Sequence, residues 1–203
     1  MSEVDLLSLF SAVTENLNDN RKQLNKADTY NGDHGDHMVE IFDVITQAMK
    51  EKKSAAPSDQ LAYASKLLKQ KESGSAAVYS QGLFEASKQF KGQQVTQNNA
   101  MQLIQTLLGA GEAPPSTNPV QSLLGDLLGG TQGQEEDSGI DAGDLLNAGL
   151  AFLAAKNRGQ SNAEALVDAV VSASPLGESP HRAESSKIVT STLLEMLGSL
   201  ASG

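Results

Sequence analysis

The residues that could do chemistry are concentrated between Leu24 and Met38, which reads Leu-Asn-Lys-Ala-Asp-Thr-Tyr-Asn-Gly-Asp-His-Gly-Asp-His-Met. This stretch holds Asp28, Asn31, Asp33 and Asp36, two glycines, and His34 and His37 from a chain with only three histidines. Asp and Asn at such spacings supply hard oxygen donors of the kind Mg²⁺ or Ca²⁺ takes. The imidazoles could ligate a softer metal or donate to a phosphate. The glycines allow positive φ and a close backbone approach to a ligand. The same residue types also build ordinary polar turns. On residue types alone, both a cation or phosphate site and a plain turn stay open.

Apolar spacing places this cluster between helices. Val4, Leu6, Leu7, Phe10, Val13 and Leu17 recur at helical spacing across residues 3–23, and Met38, Ile41, Phe42, Ile45 and Met49 do so across 38–53. The cluster is therefore expected on a loop that joins two helices. A third helix opens at Pro57-Ser58-Asp59, with Ser58 or Asp59 as the cap. A fourth begins near Ser75 and runs to Gly92, which puts Gly74 and Ser75 at a helix N-terminus. Free amides and the helix dipole make such an end an anion seat, although Ser75 can equally be a simple cap. Thr96 or Asn98 caps a fifth helix, and Pro119 can open a sixth.

A flexible stretch is expected within about 109–140, with Gly129–Gly139 the acidic, anchorless part of it. A seventh helix is expected over 141–158, an eighth from the capping box Ser161-Asn-Ala-Glu164, and a last one over about 184–200. The expectation is an all-α chain of eight or nine amphipathic helices, folded as one domain over 1–203 with antiparallel neighbours.

Composition narrows the function classes. The chain has no cysteine, which removes thiol catalysis and zinc–thiolate sites. Its formal net charge of −10 disfavours nucleic acid and anionic membrane as partners. No leader pattern or membrane-span pattern is read from the sequence, so a soluble, cytoplasmic protein is expected. An EF-hand is not matched, and neither His-Glu-x-x-His nor Gly-x-Ser-x-Gly occurs.

The Leu24–Met38 stretch resembles the metal loop of the nucleotide-binding (L) subunit or domain of dihydroxyacetone kinases. Its spacing matches the shorter loop of the related fatty-acid kinase ATP-binding domain without gaps. Gly74-Ser-Ala-Ala-Val-Tyr-Ser-Gln81 resembles that family's phosphate-touching turn, with Ala76 in place of a glycine. Gly143-Asp144 resembles the start of the adenine-contacting segment, without its Lys-Thr. His181-Arg182-Ala183 resembles a Gly-Arg-Ala-Ser turn whose arginine faces the phosphates. The His-x-Asp-Pro-Gly segment that follows in the family has no counterpart here.

The resemblance implies an eight-helix up-and-down barrel with its ligand at one rim, where the first and third interhelical loops meet. It implies Mg²⁺ held by Asp28, Asn31 and Asp33. It places ADP or ATP against His34, Gly35, Asp36, His37, Gly74, Ser75, Gly143, Asp144 and Arg182. No side chain is assigned a catalytic role, since such a kinase works by positioning and charge neutralisation. Asn31 stands where the family has an acid. The implied activity is that of a kinase-type phosphotransferase domain working with a separate substrate-binding kinase subunit; a homodimer is left open. The alternative is a degenerate, inactive ligand-binding or interaction member. Without the resemblance Arg182 reads as a surface residue, and His181 has no reading beyond a surface histidine.

Overall fold

A computed structural model describes residues 3–109, 162–172 and 174–201. The helices expected from Pro119 and over 141–158, the Gly129–Gly139 stretch, and Gly143 and Asp144 lie outside the described residues.

The described chain is helical, and its extended pairing is an isolated bridge between Glu3 and Thr96. Helix α1 spans Leu6–Ala27, α2 His34–Glu51, α3 Pro57–Leu68, α4 Gly74–Gln89 and α5 Gln97–Leu107. Helix α6 spans Asn162–Ser172, a 3-10 turn covers Pro175–Glu178, and α7 spans Pro180–Ala201. None of the described helices is long and apolar enough to cross a membrane.

Local chemistry sets most of the helix starts. Asp5 caps α1 through its side chain and the Leu7 amide. Pro57 and Pro180 occupy first-turn positions, where a missing N–H costs nothing. At α3 this moves the cap to Ala56, which makes no side-chain bond, so neither Ser58 nor Asp59 caps it. At α4 the cap is Ser73, whose hydroxyl accepts from the Ala76 amide, and Ser75 lies inside the first turn. At α5 the Asn99 side chain accepts from the Thr96 backbone N–H at 2.7 Å.

The stripes read from the sequence meet in one core. Phe42 lies at its centre, with its ring 6.3 Å from Phe10 of α1 and 5.1 Å from Tyr79 of α4. Leu17, Leu24, Met38, Ile45, Leu61, Leu68 and Leu83 are fully buried around it, each worth about 1.5–3 kcal/mol of transfer free energy.

Small residues let neighbouring helices approach closely. Gly35 faces the Arg21 carbonyl and the Asn25 side chain of α1, and Gly82 faces the Thr106 and Leu107 carbonyls of α5. Ser65 of α3 and Ser80 of α4 each donate a hydroxyl to the other's carbonyl, at 2.7 and 3.1 Å.

Packing follows chain order from α1 to α5, and α7 packs on both α5 and α1. The Asn16–Thr192 hydrogen bond of 2.8 Å, together with the 2.9 Å contact of Ser185 to His34 just beyond the C-terminal end of α1, sets α7 antiparallel to α1. Consequently the N-terminal ends of α2, α4 and α7 all gather at one rim.

Candidate functional site

A cleft of about 390 Å³ opens at that rim, within the size range of small-ligand pockets. The loop after α1 contributes Asp28, Tyr30, Asn31 and Asp33, and the first turn of α2 contributes His34 and His37. Glu72, Ser73, Gly74 and Ser75 come from the start of α4, and His181 and Arg182 from the start of α7. Asp33 and Ser75 therefore face the same cleft. All three histidines of the chain line it.

The first wall is carboxylate-rich. Gly32 turns the loop with φ of +72°, a conformation that disfavours any side chain. Asp28 is buried, and its Oδ1 accepts from the Tyr30 amide at 3.0 Å. That bond, aided by His181 and the amides of His34 and Asp33, holds its carboxyl below the usual range. Asp28 thus stays ionised and serves the free amides at the start of α2. Asp33 precedes α2 without capping it through its side chain. Its Oδ1 is shielded from solvent and lies 3.4 Å from His37 Nδ1, with no hydrogen bond. Asn31 is exposed beside them.

The second wall is cationic. Helix α4 begins here, with the Ala76 and Ala77 amides turned back onto Ser73. Among the described residues, no hydrogen bond takes the N–H groups of Gly74 and Ser75. The Arg182 guanidinium lies directly over Gly74, and a Cβ there would stand 2.6 Å from Nη2. Among the described residues no carboxylate pairs with Arg182, although Asp28, Asp33 and Glu72 line the same cleft.

His34 joins the two walls. It is 6% exposed, its Nε2 lies 2.9 Å from Ser185 Oγ, and its ring meets His181 edge-on at 4.9 Å. Ser185 donates its hydroxyl to the Arg182 carbonyl at 2.9 Å, so it must accept from His34 Nε2–H. Burial pushes the His34 imidazole down to about 4, helped by His181 and opposed by Asp28.

Two expected ligand residues are turned elsewhere. The first four residues assigned to the loop after Asp33, His34 to His37, form the opening turn of α2. Gly35 is spent on the close approach to α1. The Asp36 side chain accepts from Asn25 at 2.9 Å and lies 3.4 Å from Arg21, while its amide donates to Asn25 Oδ1. Neither residue lines the cleft.

His181, Ser73 and Ser185 take part in the cleft or its support without having been singled out from the sequence. Pro180 was the available signal: read as a first helical residue, it places His181 and Arg182 in the opening turn of α7.

Asp28, Asp33 and Asn31 bring two carboxylates and an amide oxygen to the cleft, the donor types that a magnesium ion carried in by phosphate oxygens takes. They do not form a self-standing cage, because among the described residues no group of three or more His, Cys, Asp or Glu is placed to hold a metal. No family model, curated protein or solved structure matches the chain.

Proposed function

We propose that the cleft binds a magnesium-chelated nucleotide, ADP or ATP. On this reading the chain is the nucleotide-binding domain of a phosphotransferase of the dihydroxyacetone-kinase kind, working with a separate substrate-binding partner. The single observation that carries the binding is Arg182. Among the described residues it is the one permanent cation lining the cleft, it has no carboxylate partner, and it lies over the open amides of α4. A buried or half-buried guanidinium left unpaired beside a helix N-terminus is unfavourable unless an anion comes between them. The carboxylate wall opposite would repel a bare phosphate and accept one that carries Mg²⁺.

Asp28, Asp33 and Asn31 would hold the ion, which when bound neutralises charge on the phosphate oxygens. The Gly74 and Ser75 amides and Arg182 would orient the phosphates. The eight-helix barrel belongs to the same proposal, supported by the closure of α7 onto α1 and α5.

A second reading is binding without transfer. Asn31 brings no charge, and Asp28 is already engaged by the Tyr30 amide and the start of α2. Both features weaken the hold on Mg²⁺ that transfer needs.

Thermal unfolding with and without Mg-ADP tests the binding. Ligand at a hundredfold above Kd should add about 2.7 kcal/mol. Asp33→Ala should abolish the shift and leave the fold intact. No shift at millimolar Mg-ADP overturns the nucleotide reading. A shift with no phosphoryl transfer to a ketone, in the presence of a ketone-binding kinase subunit, selects the second reading.

A further inference from the structure

Resting on the anion reading above, we propose that His34 and Ser185 form a clamp that presents His181 to the cleft as a second anion donor beside Arg182. The clamp is continuous. Loop and helix on one side end in His34, whose Nε2–H is held by Ser185 Oγ at 2.9 Å. Ser185 in turn is tied to the Arg182 carbonyl at 2.9 Å, on the turn that carries both residues. The face-to-edge contact between His34 and His181, at 4.9 Å and 74°, fixes the plane of the second ring.

His181 is held by this ring contact rather than through its nitrogens. Among the described residues, neither His181 nitrogen makes a hydrogen bond. A side chain oriented by stacking, with its donor free and facing a cleft, is placed to meet a ligand. His34 has the opposite character: it is 94% buried by its 6% exposure, its donor is spent, and it acts through its neighbours. The group that fits this wall is a phosphate or diphosphate, large enough to meet the guanidinium fork and an imidazole N–H together. His34 and Ser185 are then positioning residues, and His181 is a contact.

Magnesium pyrophosphate is the probe, titrated calorimetrically and by the imidazole resonances of the wild-type chain. His181→Phe, which keeps a ring against His34 but has no donor, should weaken binding about tenfold, the worth of one hydrogen bond to a charged group. Ser185→Ala should weaken it severalfold, although Ser185 does not line the cleft, and Ser185→Thr should restore it. Pyrophosphate should move the His181 ring resonances in the wild type. If Ser185→Ala does not fold, the His181→Phe affinity and these resonances still decide. Wild-type binding that His181→Phe leaves unchanged, with unmoved His181 resonances, overturns the clamp but leaves the anion site standing. Failure of the wild type to bind pyrophosphate overturns both.

Discussion

Replacing Gly74 by alanine should separate stability from binding. The new Cβ would lie 2.6 Å from Arg182 Nη2 and 3.4 Å from its Cζ. These atoms are the far end of a flexible side chain, so the guanidinium can swing aside at little cost. Gly74 is the first residue of α4 and its backbone is not left-handed. Alanine there therefore gains helix propensity and reduces unfolded-state freedom, worth up to about 1 kcal/mol. For a chain of this size that raises Tm by roughly 2–4 °C.

Displacing Arg182 removes its bonds to the phosphate, about 1.5–3 kcal/mol for a charge-assisted contact, or roughly 10–100-fold in Kd. The expected result is a protein as stable as wild type or more so, with weak binding of Mg-ADP by calorimetry. Arg182→Ala should give the same loss, and the two substitutions together should cost little more than either alone, since both remove one contact. An unaltered Kd in Gly74→Ala would refute the reasoning, because it would show that the position of the guanidinium over α4 is irrelevant to the ligand.

Gly35→Ala should behave in the opposite way. Its Cβ meets the Arg21 carbonyl, which is backbone and cannot yield, so urea denaturation should show a loss of about 1–3 kcal/mol. His34 should make stability fall on acidification. Its imidazole titrates at about 4 in the fold against 6.5 for the free side chain, so the unfolded chain binds the extra proton between those values. Stability is then full above pH 6.5 and declines as pH falls toward 4. At pH 5 the loss is roughly 2 kcal/mol; thermal melts of His34→Gln should lack this slope, and an identical slope would exclude His34 as its source. Tyr79→Phe should be neutral or mildly stabilising, since the phenol is fully buried without a hydrogen-bond partner and burial pushes its pKa up. A measured loss above about 1 kcal/mol would instead reveal a hydrogen bond between the phenol and the neighbouring Ser186 hydroxyl.

What the sequence showed and hid follows the range of the forces involved. The apolar stripes of α1 to α5 were legible because burial repeats every turn: Phe10, Phe42 and Leu61 each lie on a predicted stripe and in the core. The meeting of Asp33 and Ser75 was legible too, since short loops impose antiparallel neighbours and alternate loops then share a rim. The start of α2 was misplaced to residue 38 because polar His34–His37 looks like loop. Its helical turn is supported by Asn25, Arg21 and Asp28, partners that periodicity cannot reveal. Two serines flank Gly74, and local sequence does not say which of them caps. The roles of His181 and Ser185 depend on a helix more than 140 residues from His34, a separation no local pattern spans.

The net charge of −10 is a poor guide to what this rim can hold. Charges more than about 8 Å away through solvent are largely screened at physiological salt, so the local arrangement decides. Within the cleft, Asp28 is drawn toward the amides of Tyr30, Asp33 and His34 and offsets the start of α2. The start of α4 is capped by the Ser73 hydroxyl, and among the described residues no carboxylate is hydrogen-bonded to it; its first residue lies under Arg182. Two helix ends of the same polarity are thus treated differently: one is served by a carboxylate, the other by the Ser73 hydroxyl with a guanidinium over its first residue. On the proposed reading, that asymmetry would orient the ligand, with the cation it carries against Asp28 and Asp33 and its phosphate against Gly74, Ser75 and Arg182. A bare anion would meet only half of the complementary surface, so omission of magnesium should weaken phosphate binding more than any single substitution on the cationic wall.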